Sequence, residues 1–407
     1  ERGWDDFRGL DLKGKIAVVL INDPDFETGQ GEFGGKAMTY YGRWTYKFEE
    51  MARRGAAGTL IVHETAPASY GWPTVKNSNT NVMFDIVRKD PGKAHAPIEA
   101  WIQRDFAVAL FQQAGLDFDA LKLSAQKKDF KAVKLDGVDF SASFSVDAQR
   151  IVSRNVAAIL PGKRHPEQTV IYSGHWDHLG IGAANAEGDS IYNGAVDNAT
   201  GIAAMLELAR AYGKAPATER SVLFLAVTAE EKGLLGSEYY AANPLYPLGK
   251  TVAMINMDAL SVGGPTRDFT IRGNQKLDLL DQLVDTAQQW QMIYTPDPKP
   301  ETGGFFRSDH FSLAKQGVPA ISYGSGQDLL DGGLEAGKAV ALAYNQQNYH
   351  QPSDQWQADW PLTGLARDLQ VLYTVGRDLA DSAAWPNWSA DSEFRAARDA
   401  SAAERGQ

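Results

Sequence analysis

The chain has 407 residues, 43% hydrophobic and 22% charged, with a formal net charge of −11 and no cysteine. This length suits two domains, and the negative balance argues against nucleic acid and other acidic partners, which need a basic surface. Without cysteine there are no disulfides, no thiolate catalysis and no cysteine-ligated zinc, so any metal must sit on His, Asp and Glu. No apolar run approaches the roughly 18 residues of a membrane span. The chain opens at Glu1 without the basic and apolar segments of a signal peptide, and it reads as a processed or trimmed product or, equally, as a sequence begun at an arbitrary boundary.

In chain order, 14–22 (GKIAVVLIN), 58–63 (GTLIVH) and 97–102 (PIEAWI) are short apolar runs bounded by Gly, Pro and charge, the pattern of strands. Helices are expected over 41–54, 104–114 and 117–126, while 64–95 reads as loop. From about 130 the texture changes. An alternating run at 138–146 (VDFSASFSV) and another at 155–160 predict strands. Strand 168–174 then precedes a helix at 199–213, strand 221–227 one at 234–242, and strand 251–257 a loop. Strand 269–272 leads to a helix at 275–291, and strand 317–323 leads through a long loop to a helix at 362–381. Strands alternating with helices predict an α/β fold with a mostly parallel sheet covered on both faces. The expected domains are 1–130, a small α/β module with no cluster of His and carboxylates, and 131–385, followed by a polar tail over 386–407.

Ligands of open α/β sheets bind beyond the carboxyl ends of the strands, where the loops converge. Those ends carry His175-Trp176-Asp177-His178, Asp197-Asn198, Glu230-Glu231 and Asp258, and a late loop adds His350. Singly each has a plain structural reading: a bonded loop histidine, a helix cap, or a charged first turn. Together, two imidazoles and three carboxylates are the donor set of a two-zinc hydrolytic site with one carboxylate shared.

The residues also resemble a family, the co-catalytic zinc peptidases that include bacterial aminopeptidases and glutamate carboxypeptidase II. The resemblance rests on GHWDHLG (174–180), NGAVDNATG (193–201), TAEEKGLLGS (228–237), INMDAL (255–260), RSDHFSLAKQGVPA (307–320) and NYHQPSD (348–354). It implies two zinc ions. His175 and Asp258 would hold one, Glu231 and His350 the other, and Asp197 would bridge them. By the same resemblance Glu230 is the general base, and Tyr349 donates to the developing oxyanion. Asp177 is expected to accept the proton on the second nitrogen of His175, and Asp309 and His310 to brace the site. The Asp197–Asn198 peptide should be cis.

The first module resembles a protease-associated domain through LKGKIAVVLIN (12–22) and FEEMARRGAAGTLIVHE (48–64). The expected function is that of a secreted or periplasmic zinc exopeptidase, an aminopeptidase acting on a peptide substrate. The alternatives are a glutamate-type carboxypeptidase using Arg307 or Arg267, a single-zinc glutaminyl cyclase, and an inactive binding module on the same fold.

Overall fold

The computed structural model describes residues 3–79 and 82–406. The chain divides into two compact units, Glu1–Ile151 with Lys299–Phe306, and Val152–Pro298 with Arg307–Gln407. The first unit runs about twenty residues beyond the sequence-derived boundary at 130, and the Ala132 amide donates to the Asp6 carbonyl at 2.8 Å within it. Its second piece, 299–306, joins it through the Met38 amide bonded to Pro300 O at 3.2 Å. Nothing local in the sequence signals that return.

The first unit holds a parallel three-stranded sheet in the order β1 (Ile16–Leu20), β2 (Gly58–His63), β3 (Ile98–Gln103). β2 is central and every one of its residues is buried, so it reads as a continuous apolar run rather than an alternation. Helix Trp44–Arg53 lays Phe48, Met51 and Ala52 inward. The region expected as loop carries two short helices, Thr65–Ala68 and Trp72–Asn79. Both begin among Pro, Gly and Thr, which hides them from a periodicity reading.

The second unit is built on a seven-stranded sheet, ordered β11–β10–β12–β9–β5–β8–β4. The strands are β4 (Val156–Leu160), β5 (His165–His175), β8 (Arg220–Val227), β9 (Thr251–Met257), β10 (Asp268–Ile271), β11 (Ile293–Tyr294) and β12 (Ala320–Ser325). A small hairpin, β6 (Gly180–Ile181) with β7 (Ile191–Tyr192), stands apart from it. Four neighbouring pairs are parallel, and only β4/β8 and β10/β12 are antiparallel. The fold is therefore the mixed, mostly parallel α/β sheet flanked by helices that the sequence predicts.

The core strands β8 and β9 are buried along their whole length. Helices Thr200–Lys214 and Thr363–Asp381 turn apolar stripes to the sheet, including Ala204, Met205, Leu208, Val371, Leu372 and Val375.

Three further expectations change. The alternating segment 138–146 has no strand partner and is exposed at nearly every residue; alternation specifies a half-buried strand only where a partner exists. The long loop before the last large helix contains a helix, Gly333–Gln347, introduced by Gly332 in a left-handed conformation and lacking a side-chain cap, so no start signal marks it. The segment read as a polar tail is packed: Trp388 and Arg398 are each 1% exposed, and Arg398 donates to Thr251 O at 2.9 Å on β9.

Candidate metal centre

β5 lies between β8 and β9 and runs parallel to both, so the carboxyl ends of three neighbouring strands open on one edge. β5 ends on His175, Glu230 and Glu231 follow β8 by a short turn, and Asp258 follows β9 directly. The 194–199 turn and the residues after helix Gly333–Gln347 bring Asp197 and His350 to the same point. The chain is sharply bent there: Ala229, Ala259 and His350 adopt φ of 55°, 52° and 59°, a region that favours glycine. The Asp197–Asn198 peptide is cis.

The five residues converge. His175 Nε2 stands 3.1 Å from Asp197 Oδ1 and 3.4 Å from Asp258 Oδ1. His350 Nε2 stands 3.3 Å from Asp197 Oδ2 and 3.1 Å from Glu231 Oε2. Asp197 thus turns one oxygen to each imidazole. The buried His175 Nε2 nevertheless has no hydrogen-bond partner of good angle, and it groups with oxygens of Asp197 and Asp258 within 4.8 Å of one another. That arrangement fits a metal. Ligands held about 2.0–2.2 Å from a tetrahedral ion are separated from one another by roughly 3.3–3.6 Å, close to these four distances.

The electrostatics are those of a cation site. Burial opposes charge on all five, yet carboxylates outweigh it at the imidazoles: Asp197 and Asp258 hold His175 well above its ordinary pKa, and Asp197 with Glu231 raise His350 to about 9. Against burial, His175 and His350 hold Asp197 low, His178 and then His350 hold Glu231 low, and Arg272 and then His175 hold Asp258 low. Glu230 differs. Burial, followed by the like charge of Asp258, pushes its carboxyl well above the usual range. Asp309 is raised to about 7 by burial, and His310 lowered to about 3 by burial and then Arg272.

Surrounding hydrogen bonds explain why the motifs fold as they do. Asp354, from the His350 loop, accepts from Val196 N at 2.9 Å, Asp197 N at 3.1 Å and the Tyr344 hydroxyl at 3.2 Å, while its carbonyl takes Ala195 N at 3.0 Å. Asn198 donates to Met257 O at 3.0 Å and accepts from Gly201 N at 3.0 Å and Ala259 N at 3.2 Å, tying the 197 loop to the end of β9. A buried chain runs Ser173 Oγ to Asn256 Oδ1, Asn256 Nδ2 to Ser308 Oγ, and Ser308 Oγ to Asp258 Oδ2, each step 2.7 Å. It fixes the oxygen of Asp258 that faces away from His175.

One sequence expectation is corrected. The Asp177 carboxylate does not take the second nitrogen of His175, which lies 3.7 Å from Oδ1; the Asp177 backbone carbonyl, 3.0 Å from Nδ1, does. The carboxylate accepts instead from Glu230 N at 3.1 Å and Glu231 N at 3.4 Å. It orients the two glutamates, and the carbonyl sets the tautomer. Tyr349 stacks on His350, with ring centroids 3.9 Å apart and planes 22° apart, and burial followed by the charge of Asp197 keeps its phenol protonated well above the ordinary range.

Of the two arginines considered from sequence, Arg267 is taken up by Asp328, Leu329 and Leu330, whereas Arg307 acts electrostatically on Tyr349. Sequence reasoning missed Arg272, which donates to Asp258 O at 3.0 Å, and gave His178 no part although its Nδ1 lies 2.7 Å from Glu231 Oε1. Its place inside GHWDHLG was the available signal.

The chain is similar to several known proteins. The model described as peptidase family M28 matches residues 155–374. A "Probable zinc metalloprotease" of Pyrenophora tritici-repentis (strain Pt-1C-BFP) is 29% identical over 169 residues, 42% of this chain and 35% of that protein. "Aminopeptidase NAALADL1" of Mus musculus is 36% identical over 176 residues, 37% of this chain and 22% of that protein. Matches to these curated relatives thus span about a third of their length or less. Among solved structures, an aminopeptidase from Aneurinibacillus sp. strain AM-1 is 20% identical, covering 92% of this chain and 71% of that one, with a TM-score of 0.43.

Proposed function

The chain belongs to peptidase family M28, and from that premise we propose that it is a zinc-dependent exopeptidase, an aminopeptidase that removes N-terminal residues from peptides. The observation that carries this reading is the pair of imidazoles meeting opposite oxygens of Asp197 at 3.1 and 3.3 Å, with Asp258 and Glu231 closing either side. That set suits two ions better than the single zinc of a cyclase, and a complete donor set weighs against an inactive module. Bound there, two zinc ions would supply Lewis acidity and lower the pKa of water.

The chain's own residues do the rest. Glu230, backed by the Asp177 bond to its amide, accepts a proton from the attacking water and hands it to the leaving amine. Its raised pKa suits that exchange. Tyr349 keeps its hydroxyl proton and donates it in a hydrogen bond to the oxyanion. The motifs GHWDHLG, TAEEKGLLGS and NYHQPSD resemble those of bacterial aminopeptidases, which supports an aminopeptidase. Arg272 and Arg307 near Tyr349 are what a carboxypeptidase would use on a C-terminal carboxylate, and they keep that second reading in play. The resemblance of residues 1–130 to a protease-associated domain, and the assignment to the periplasm or exterior, belong to the same proposal; cell fractionation tests the location.

A pair of variants tests the mechanism. Glu230→Gln should retain metal and lose about 10²–10⁴-fold in turnover, whereas Glu231→Gln should lose metal on dialysis. A panel of aminoacyl and C-terminal dipeptide chromogenic substrates, with and without chelator, separates the two peptidase readings. Turnover that survives complete chelation, or normal turnover by fully loaded Glu230→Gln, overturns the proposal.

A further inference from the structure

The side chain of His178 is 7% exposed, and no acceptor among the described residues is aligned with either ring nitrogen. Its Nδ1 lies 2.7 Å from Glu231 Oε1, a short contact bent from the ideal line. An imidazole lone pair and a carboxylate lone pair cannot approach so closely without a hydrogen or a cation between them, and a distance distinguishes the two. The other nitrogen-to-oxygen separations in the cluster are 3.1–3.4 Å, near the spacing of ligands about one tetrahedral zinc, roughly 3.3–3.6 Å. At 2.7 Å the His178 contact is too short for that and has the length, though not the angle, of a charge-assisted N–H···O bond, about 2.7–2.9 Å, which a small turn of the ring would straighten.

The carboxylate is addressed from two sides. Oε2 is 3.1 Å from His350 Nε2, Oε1 is 2.7 Å from His178 Nδ1, and the two rings meet edge to face with centroids 5.7 Å apart. A free glutamate rotates about its last bond and presents either oxygen. A donor fixed on Oε1 leaves Oε2 for the position beside His350 and Asp197. The ring is itself held in place, because a Cβ on Gly194 would come 2.5 Å from His178 Cγ. Glycine at 194, with φ 63°, lets the backbone of the Asp197 turn close over His178.

We propose that His178 is a positioning residue of the second metal site, donating from Nδ1 to Glu231 Oε1 so that only Oε2 is offered to the ion. This rests on the two-zinc reading above. It predicts a selective loss of affinity. Outer hydrogen-bond partners of metal ligands typically alter affinity by about 10–100-fold when removed, and here the loss should fall on one equivalent of zinc.

The test is zinc titration of the purified protein against a chromophoric chelator, comparing the parent with His178→Leu, which fills the space without a donor, and His178→Asn, whose amide nitrogen occupies the place of Nδ1. Expected are an unchanged first equivalent in both variants, a 10–100-fold weaker second equivalent in His178→Leu, and near-parental affinity in His178→Asn. Two equivalents should still bind to His178→Leu at saturating zinc. Parental affinity in His178→Leu overturns the proposal, as does His178→Asn binding as poorly as His178→Leu, which would reduce the role to packing. A stoichiometry fixed at one equivalent in His178→Leu also overturns it, because His178 would then be a ligand. If His178→Leu fails to fold, a weak second equivalent in folded His178→Asn is the overturning result. A parent that binds no zinc defeats the metallopeptidase reading instead.

Discussion

On the two-zinc reading proposed above, Asp354 holds the turn that carries the shared carboxylate, so Asp354→Asn should weaken both metal positions together. The residue is 1% exposed and receives the Val196 and Asp197 amides on its two oxygens. Replacing one oxygen by NH₂ keeps one bond and sets a donor against a donor at the other. A hydrogen bond to a buried charge contributes about 1.5–3 kcal/mol, and an orphaned buried amide costs about 1–3 kcal/mol. Allowing for relaxation, about 2–4 kcal/mol is lost from the turn. Asp197 faces both His175 and His350, so this loss enters the combined affinity for two ions. At 1.36 kcal/mol per decade it amounts to roughly 30–1,000-fold. Zinc calorimetry measures it, with the unfolding temperature of the metal-free variant as a control. Parental affinity for both equivalents, or loss of one alone, would refute the idea that Asp354 acts through the shared ligand.

Zinc binding should release protons at pH 7.5, because Asp197 and Glu231 raise His350 to about 9 against burial and a ligating imidazole must be neutral. Affinity should therefore climb as pH rises toward 9, and calorimetry in two buffers of different ionisation enthalpy reads the release; no buffer dependence would contradict it. In the first unit, burial raises Asp23 to about 7 despite bonds from Thr39 and the charge of Lys47. The folded value exceeds the unfolded 3.8, so stability present below about pH 4 is lost as pH rises toward 7. Asp23→Asn should flatten that slope in unfolding temperature between pH 4 and 7, and an unchanged slope would reassign it.

What could be read in the sequence was whatever a short window contains. β2, β8 and β9 announce themselves as apolar runs because both faces are covered, and His175, Glu231 and Asp258 sit at strand ends where parallel sheets gather ligands, with Asp197 and His350 supplied by loops. What escaped depends on distant partners. The 138–146 alternation is real, but pairing belongs to two segments and one was being read. Asp177 stood at the right spacing to bond His175, yet its carbonyl is nearer Nδ1 and its carboxylate is drawn to two amides beyond β8. The Ser173–Asn256–Ser308 chain joins β5, β9 and the turn before helix His310–Ala314, each member unremarkable alone. His178 looked like one more loop histidine until Glu231 lay beside it.

The left-handed backbone at Ala229, Ala259 and His350 has a consequence for how this protein can be altered. Each such residue costs about 1–2 kcal/mol relative to ordinary backbone. Glycine at 229 or 259 would relieve that cost, but it would enlarge the freedom of the unfolded chain by about 0.5–1 kcal/mol. The relief outweighs the cost by roughly 0.5–1 kcal/mol, so a thermal screen would pass such variants as neutral or slightly stabilised. The aim of Glu230 and Asp258, one residue away, would nonetheless be freed. Heat resistance and catalytic competence are thus separable at these alanines, and a library sorted by melting alone would accumulate sound folds with idle sites.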